Sequence, residues 1–275
     1  MEDTMKRFTI ILLSLILAAS TIPALAQRAR ITCSGSTTVL PVAQATAEAF
    51  MNEHPNVNIS VRGGGSGVGV AALQNGTVDI ANSSRLMKSS EISQCRARGI
   101  NPTRYAIAND GIAIVLHASN PVRNLTVAQI RSIYTGQITN WNAVGGPSLP
   151  IIVISRDVAS GTFEVFNEKA LRGARVVSSA QMLASNNAVV STVADTPGAI
   201  GYAGLGYVTG GVHAISVNGI MVNEDNVKNG SYPLSRKLYM YTNGRASGMV
   251  DRYISFIQSA RGQALVREAG FITLN

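Results

Sequence analysis

From about residue 28 onward the apolar residues follow two rhythms that take turns. Short β-branched runs suited to buried strands occupy 30–33, 57–61 and 78–81, while apolar positions at helical spacing fill 41–52 and 68–74. That βαβαβ order predicts a mostly parallel α/β sheet. A helix over 90–99 follows, then a long strand over 105–118, a helix over 126–134, and a loop rich in Gly, Asn and Pro over 135–150. A second series begins with a strand at 151–155 and continues through helices at 163–171 and 188–195. Strands are predicted at 199–202, 213–217 and 237–242, and one long helix at 249–269 closes the chain. No repeat and no low-complexity tether separates the two series, so two lobes would have to be joined by strands.

The only long apolar run lies before all this. Met5, Lys6 and Arg7 precede an uncharged stretch from Phe8 to Ala19, and Pro23 and Ala24-Leu25-Ala26 follow. A spanning helix needs about 20 apolar residues. This run is shorter and ends in a small-residue cleavage pattern, so residues 1–26 read as a secretory signal peptide and the mature chain begins near Gln27. The 275 residues are 46% hydrophobic and 14% charged, which excludes a disordered chain, and the net charge of +8 makes an exported basic protein. Such a charge suits an anionic ligand or surface. Aromatics are only 5% and Lys and Arg are scattered, so nucleic acid is not expected as a partner. Cys33 and Cys95, with His54, His117 and His213 isolated from one another, make no metal site. In an oxidising compartment the two cysteines leave a disulfide and two thiols equally open.

Three times a predicted strand runs into a turn of small hydroxyl and glycine residues that opens a helix. The turns are 34–38 (Ser-Gly-Ser-Thr-Thr), 63–67 (Gly-Gly-Gly-Ser-Gly) and 156–162 (Arg-Asp-Val-Ala-Ser-Gly-Thr). A helix N-terminus presents unpaired N–H groups and partial positive charge, hydroxyls add short donors, and Arg156 adds a planar fork matched to an oxyanion. A single such serine or threonine is ordinarily a helix cap. Three at strand carboxyl ends favour a shared ligand in a crevice. Enzyme signatures fare worse. Around Ser66 the nucleophile-elbow pattern fails at Val68, and no phosphate-loop motif with a terminal Lys occurs. Gly67-Val68-Gly69-Val70-Ala71-Ala72 fits a dinucleotide turn, but the acidic residue wanted about 20 positions later would be Glu91, inside a predicted helix.

The segments ITCSGSTTVLPVAQATAEAF (31–50), VNISVRGGGSGVG (57–69), VDIANSSR (78–85), IYTGQITNWNAVGGPSLPI (133–151), SRDVASGTF (155–163) and TPGAIGYAGLGYV (196–208), in that order, resemble the phosphate-binding periplasmic components of ABC phosphate importers. The resemblance implies a class II solute-binding fold: two α/β lobes with mostly parallel sheets and a ligand cleft between them. Lobe one would be 27–109 plus 243–275 and lobe two 110–242. It also implies a periplasmic monomer that needs no cofactor and does no catalysis, with inorganic phosphate and an inner-membrane ABC permease as its partners. Carried over by motif, the phosphate contacts are Thr37, Thr38, Ser66, Ser84, Arg156, Ser160, Gly161 and Thr162.

The chain departs from some relatives at Ser84, where they carry an aspartate that accepts the proton of hydrogen phosphate and so rejects sulfate. Asp110, in the run Asn109-Asp110-Gly111 at the expected cleft floor, is the candidate replacement, with a local turn-capping role as the alternative. Another oxyanion (sulfate, molybdate or tungstate) therefore stays open as the ligand, with a secreted dinucleotide-dependent oxidoreductase as the more distant reading. Trp141 reads as a packing anchor, His54 as an exposed helix end, and Arg85 either reaches the ligand or pairs with a carboxylate.

Overall fold

The computed structural model describes residues 28–275; segment 1–26, read from the sequence as a signal peptide, lies outside the described residues. Ten strands form one continuous sheet: eight follow the order β2-β1-β3-β10-β4-β8-β6-β7, and off this path β9 pairs with β4 and the short β5 (Asn124–Leu125) pairs with β9. On one side of the molecule β1 (Ala29–Gly35) lies parallel between β2 (Val57–Arg62) and β3 (Ile80–Ser83). On the other, β6 (Ile152–Arg156) lies parallel between β7 (Gln181–Leu183) and β8 (Ala199–Gly204). β4 (Pro102–His117) and β10 (Ser235–Asn243) run antiparallel across the middle.

The 16-residue β4 belongs to both sides. Its first part, Pro102 to Gly111, pairs with β10, and its second, Ile112 to His117, pairs with β8 and with β9 (Val212–Val217). Ile112, Ala113, Ile114, Val115 and Leu116 are all buried, as expected for a strand covered on both faces. One apolar cluster gathers Ile112 to Leu234 and Ile272; another gathers Ile31, Phe50, Ile80, Ile107 and Ala108 with Leu238, Met240 and the C-terminal helices, and a smaller one beside it holds Val70, Leu73, Ala81, Met87, Cys95 and Tyr241. The change from the first to the second occurs at Asn109 to Gly111 on β4 and around Arg236 on β10. Between the two apolar cores lies a band of polar residues.

Helices cover the sheet much as the apolar rhythm predicts: α1 (Leu40–Glu53), α2 (Ser66–Gln74), α3 (Ser89–Ala97), α4 (Val127–Tyr134), α5 (Gly161–Phe166), α6 (Asn186–Asp195) and α7 (Glu224–Lys228). The long terminal helix differs from expectation. It is two helices, α8 (Gly248–Gln258) and α9 (Ala260–Glu268), because Ser259 turns extended, donates to Phe256 O and accepts from Gly262 N. The apolar spacing runs on through that break, so periodicity alone could not reveal it. The predicted helix 163–171 likewise ends at Phe166 and passes into a π-turn, Asn167–Leu171.

The dinucleotide-like glycines have a packing role. A side-chain carbon on Gly69 would lie 2.5 Å from Ser34 O and 2.8 Å from Gly35 Cα, so the glycine lets α2 press onto the end of β1. Trp141 is fully buried with Nε1 donating to Gly198 O at 2.8 Å, the packing anchor expected. Cys33 and Cys95 are both buried free thiols in different apolar clusters.

Candidate functional site

Which hydroxyls cap helices decides which are left for other work. Ser36 Oγ accepts from the N–H groups of Thr38 and Val39, and Ser160 Oγ accepts from Phe163 N at 3.1 Å. With Ser36 holding the turn ahead of α1 and Ser160 capping α5, the hydroxyls of Thr37, Thr38 and Thr162 turn into the band between the lobes. All three are nearly or fully buried.

There they meet groups from distant parts of the chain. Thr38 Oγ1 lies 2.9 Å from Thr162 Oγ1, a contact spanning 124 residues. Arg156 Nη2 donates to Thr37 Oγ1 at 3.2 Å, and Asn186 Nδ2 donates to both Thr37 and Thr38 Oγ1 at 3.0 Å. Arg236 Nη1 donates to Thr162 Oγ1 at 3.0 Å and Nη2 to Thr38 Oγ1 at 3.2 Å. Beside them Ser66 Oγ accepts from Ser84 N at 3.0 Å and sits 3.3 Å from Ser84 Oγ. Gly161 closes against this pair, and a side-chain carbon there would fall 2.2 Å from Ser66 Oγ. The second glycine turn also reaches across, with Gly67 N donating to Ala159 O at 3.0 Å. The three turns read from the sequence thus converge, and Thr37, Thr38, Ser66, Ser84, Arg156, Ser160, Gly161 and Thr162 are all buried around one point between the lobes.

Two arginines enter this band with different company. Arg236 meets Asp110 through Nε and Nη2, both 2.8 Å from Oδ2, and Asp110 Oδ1 accepts from Leu205 N at 3.0 Å. Burial pushes the Asp110 carboxyl up, while Arg236 pulls it the other way. Asp110 therefore lies at the site with Arg236 as its principal partner, and the backbone N–H groups of Gly111 and Leu205 add to that long-range ion pair. Arg156 has no such partner. It is 1% exposed, it belongs to no ion pair among the described residues, and its Nε and Nη2 are spent on the carbonyls of Leu183 and Ala184 and on Thr37. Nη1 makes no hydrogen bond at all. A buried cation without a counter-charge is costly unless an anion completes it. Desolvation accordingly lowers the guanidinium from its ordinary value.

At the rim, Arg85 takes the pairing alternative. Nη2 lies 2.7 Å from Glu91 Oε1 and Nε 2.8 Å from Glu164 Oε2, which Lys88 Nζ also reaches at 2.9 Å. Glu164 stands on α5 two residues after Thr162, and Arg85 follows Ser84, so this ion cluster also spans the lobes.

Comparison with known proteins agrees with this geometry. Residues 22–261 match the PBP superfamily domain. Among curated relatives, the phosphate-binding protein PstS of Bacillus subtilis is 33% identical over 88% of this chain and 80% of its own length. The chain belongs to this family of solute-binding proteins. Protein SphX of Synechococcus elongatus is likewise 33% identical, over 100% of this chain and 87% of its own. Among solved structures, an ABC transporter substrate-binding protein from Clostridium perfringens with bound phosphate aligns with a TM-score of 0.83 at 35% identity, covering 90% of this chain and all of that one. A phosphate transport receptor from Vibrio cholerae aligns with a TM-score of 0.73 at 34% identity, covering 88% and 99%. The two-lobed fold expected from the motifs is the fold of this family.

Sequence reasoning missed Asn186 and Arg236. Ser185 caps α6 by accepting from Ala188 N, which puts Asn186 in the first turn with its amide aimed inward. A Ser-Asn pair opening a helix was a readable signal, since it resembles the other three turns. Arg236 had none: one arginine at a strand start looks like any exposed charge until β10 is placed between β3 and β4.

Proposed function

We propose that the chain captures inorganic phosphate between its lobes and delivers it to an inner-membrane ABC permease, working as an exported, periplasmic monomer without a cofactor. The observation that carries this reading is Arg156, a buried guanidinium with one free N–H edge and no carboxylate partner, facing a cluster of threonine hydroxyls. The printed functions of the relatives, phosphate binding and phosphate transport, are what such a site would serve, and theirs is a family of carriers and not of enzymes. Thr37, Thr38, Ser66, Ser84, Ser160, Gly161 and Thr162 would supply hydroxyl and backbone donors from both lobes. Asp110 would act beside them, chiefly by neutralising Arg236. The split of buried apolar residues supports lobes of 27–109 plus the C-terminal segment, and 110 onward. Leu238 and Met240 pack with the first lobe, which argues for a second crossing at Arg236, ahead of residue 242.

Titration calorimetry of the mature protein with phosphate at pH 8 tests the reading. One site per chain is expected, and Arg156→Ala should remove most of the affinity. Absence of heat and of any thermal shift with phosphate would overturn it, since a tight ligand must raise the melting temperature by mass action.

A further inference from the structure

The hydrogen bonds around the three threonines have a direction, and it constrains which form of the ligand fits. A hydroxyl oxygen has two lone pairs and one proton. Thr37 Oγ1 receives N–H groups from Arg156 and Asn186, so both lone pairs are occupied. Thr38 Oγ1 receives them from Asn186 and Arg236. Thr162 Oγ1 receives one from Arg236 and faces the hydroxyl of Thr38 at 2.9 Å. Since Thr38 has no lone pair left, it must donate in that contact, and Thr162 is then filled as well. None of these donors can reverse. Guanidinium has no acceptor, and the Asn186 amide is held in one orientation because its Oδ1 accepts from Gly204 N at 3.2 Å.

We infer that Asn186 and Arg236 are positioning residues that fix Thr37 and Thr162 as hydrogen-bond donors toward the ligand, the Thr38 proton being spent on Thr162, so that the site selects the most deprotonated tetrahedral oxyanion. It takes hydrogen phosphate dianion over dihydrogen phosphate and admits sulfate as a competitor. This rests on the phosphate reading above and deepens it. Dihydrogen phosphate brings two P–OH protons toward a wall of O–H and N–H groups, hydrogen phosphate brings one, and sulfate brings none. The accepting capacity left at the site lies on Ser66, Ser84 and Ser160, of which Ser66 and Ser160 already accept one backbone N–H each, from Ser84 and from Phe163. The charged or titratable groups that face the cluster are Arg156, Arg236, Asp110, Tyr202 and Tyr207, through Arg156 N, Thr37 O and the Arg236 ion pair. Both tyrosines are pushed by burial to about 12, which leaves Asp110 as the one protein group able to interfere below neutrality.

Competition calorimetry of the wild-type protein with phosphate and with sulfate from pH 8 to pH 5.5 decides the matter. The apparent phosphate affinity should weaken about tenfold per pH unit once the pH is below phosphate's second ionisation, following the dianion fraction. Sulfate, unprotonated throughout, should hold its affinity within about threefold, which controls for Asp110, and should lie within about a hundredfold of phosphate. A site with a dedicated proton acceptor would reject it by roughly 10⁴–10⁵. A flat phosphate profile, or failure of sulfate to compete at a thousandfold excess (~10³, well inside that rejection range), overturns the inference while leaving phosphate binding intact; no heat with phosphate at pH 8 overturns the phosphate reading itself. Asn186→Asp sharpens the test, since an isosteric carboxylate can only accept and would draw the Thr37 and Thr38 protons toward itself. Its pH slope should flatten and its sulfate competition fall; an unchanged slope in a folded variant contradicts the positioning role. Should that variant not fold, the two wild-type titrations decide alone.

Discussion

Two polar clusters bridge the lobes, and they are built on opposite terms. At the rim, Arg85 and Lys88 face Glu91 and Glu164, so cations and carboxylates balance. In the interior, Arg236 is matched by Asp110 but Arg156 by nothing, and one of its N–H edges is free. The rim is balanced in charge without a ligand, whereas the interior is short of one anion. Charge that is already paired can hold two surfaces together, but only an unpaired buried charge can give binding energy to something that arrives.

The largest expected effect comes from unbalancing the interior. Asp110→Ala strips Arg236 of its counter-ion at a fully buried position and should destabilise the fold by roughly 3–5 kcal/mol, read as a lowered urea midpoint. A loss below about 1 kcal/mol would mean that the pair behaves like the rim. Next in size, Arg156→Ala should cost phosphate roughly 1.5–3 kcal/mol per charged hydrogen bond lost, with little loss of stability because an uncompensated charge is removed. If stability falls and affinity does not, Arg156 is structural and the contrast fails.

The rim should respond more weakly. Glu164→Gln releases Arg85 and Lys88 from α5, and about fivefold or less of affinity should go, mainly through faster phosphate release in stopped-flow, with the difference shrinking at high salt. An effect as large as that of Arg156→Ala would make the rim part of the binding site. The smallest effect is on the pH limits of stability. Burial raises the Glu91 carboxyl, but Arg85 and the Lys88 N–H outweigh it and leave it below the ordinary 4.5. Its contribution is therefore present above that value and lost as the pH falls beneath it. Tyr202 and Tyr207, beside the interior cluster, are raised by desolvation from 10.0 to about 12. Their contribution is full below pH 10 and is lost as the pH rises through about 12. Melting curves should decline at both ends, with Glu91→Gln blunting only the acid limb and Tyr207→Phe only the alkaline one.

What the sequence determined by itself follows from local rules. Strand and helix order came from apolar spacing, and the three ligand-facing turns came from small hydroxyl and glycine residues placed where a strand meets a helix. Both signals lie within a few consecutive residues, so no knowledge of the partner strands is needed to see them. Even there, the division of labour between Ser36 and Thr38, or between Ser160 and Thr162, was hidden: either type of hydroxyl can cap, and the choice is made by geometry. The tertiary structure alone decided the rest. Asn186 sits 149 positions from Thr37 and Arg236 sits 126 from Asp110, and nothing in their own neighbourhoods announces those meetings. They arise because β4 and β10 cross from one apolar core to the other, and at that crossing a polar side chain is buried with no solvent to satisfy it. Such a residue must find its partners in whatever the other lobe presents, and that is a property of the packed chain, not of any segment of it.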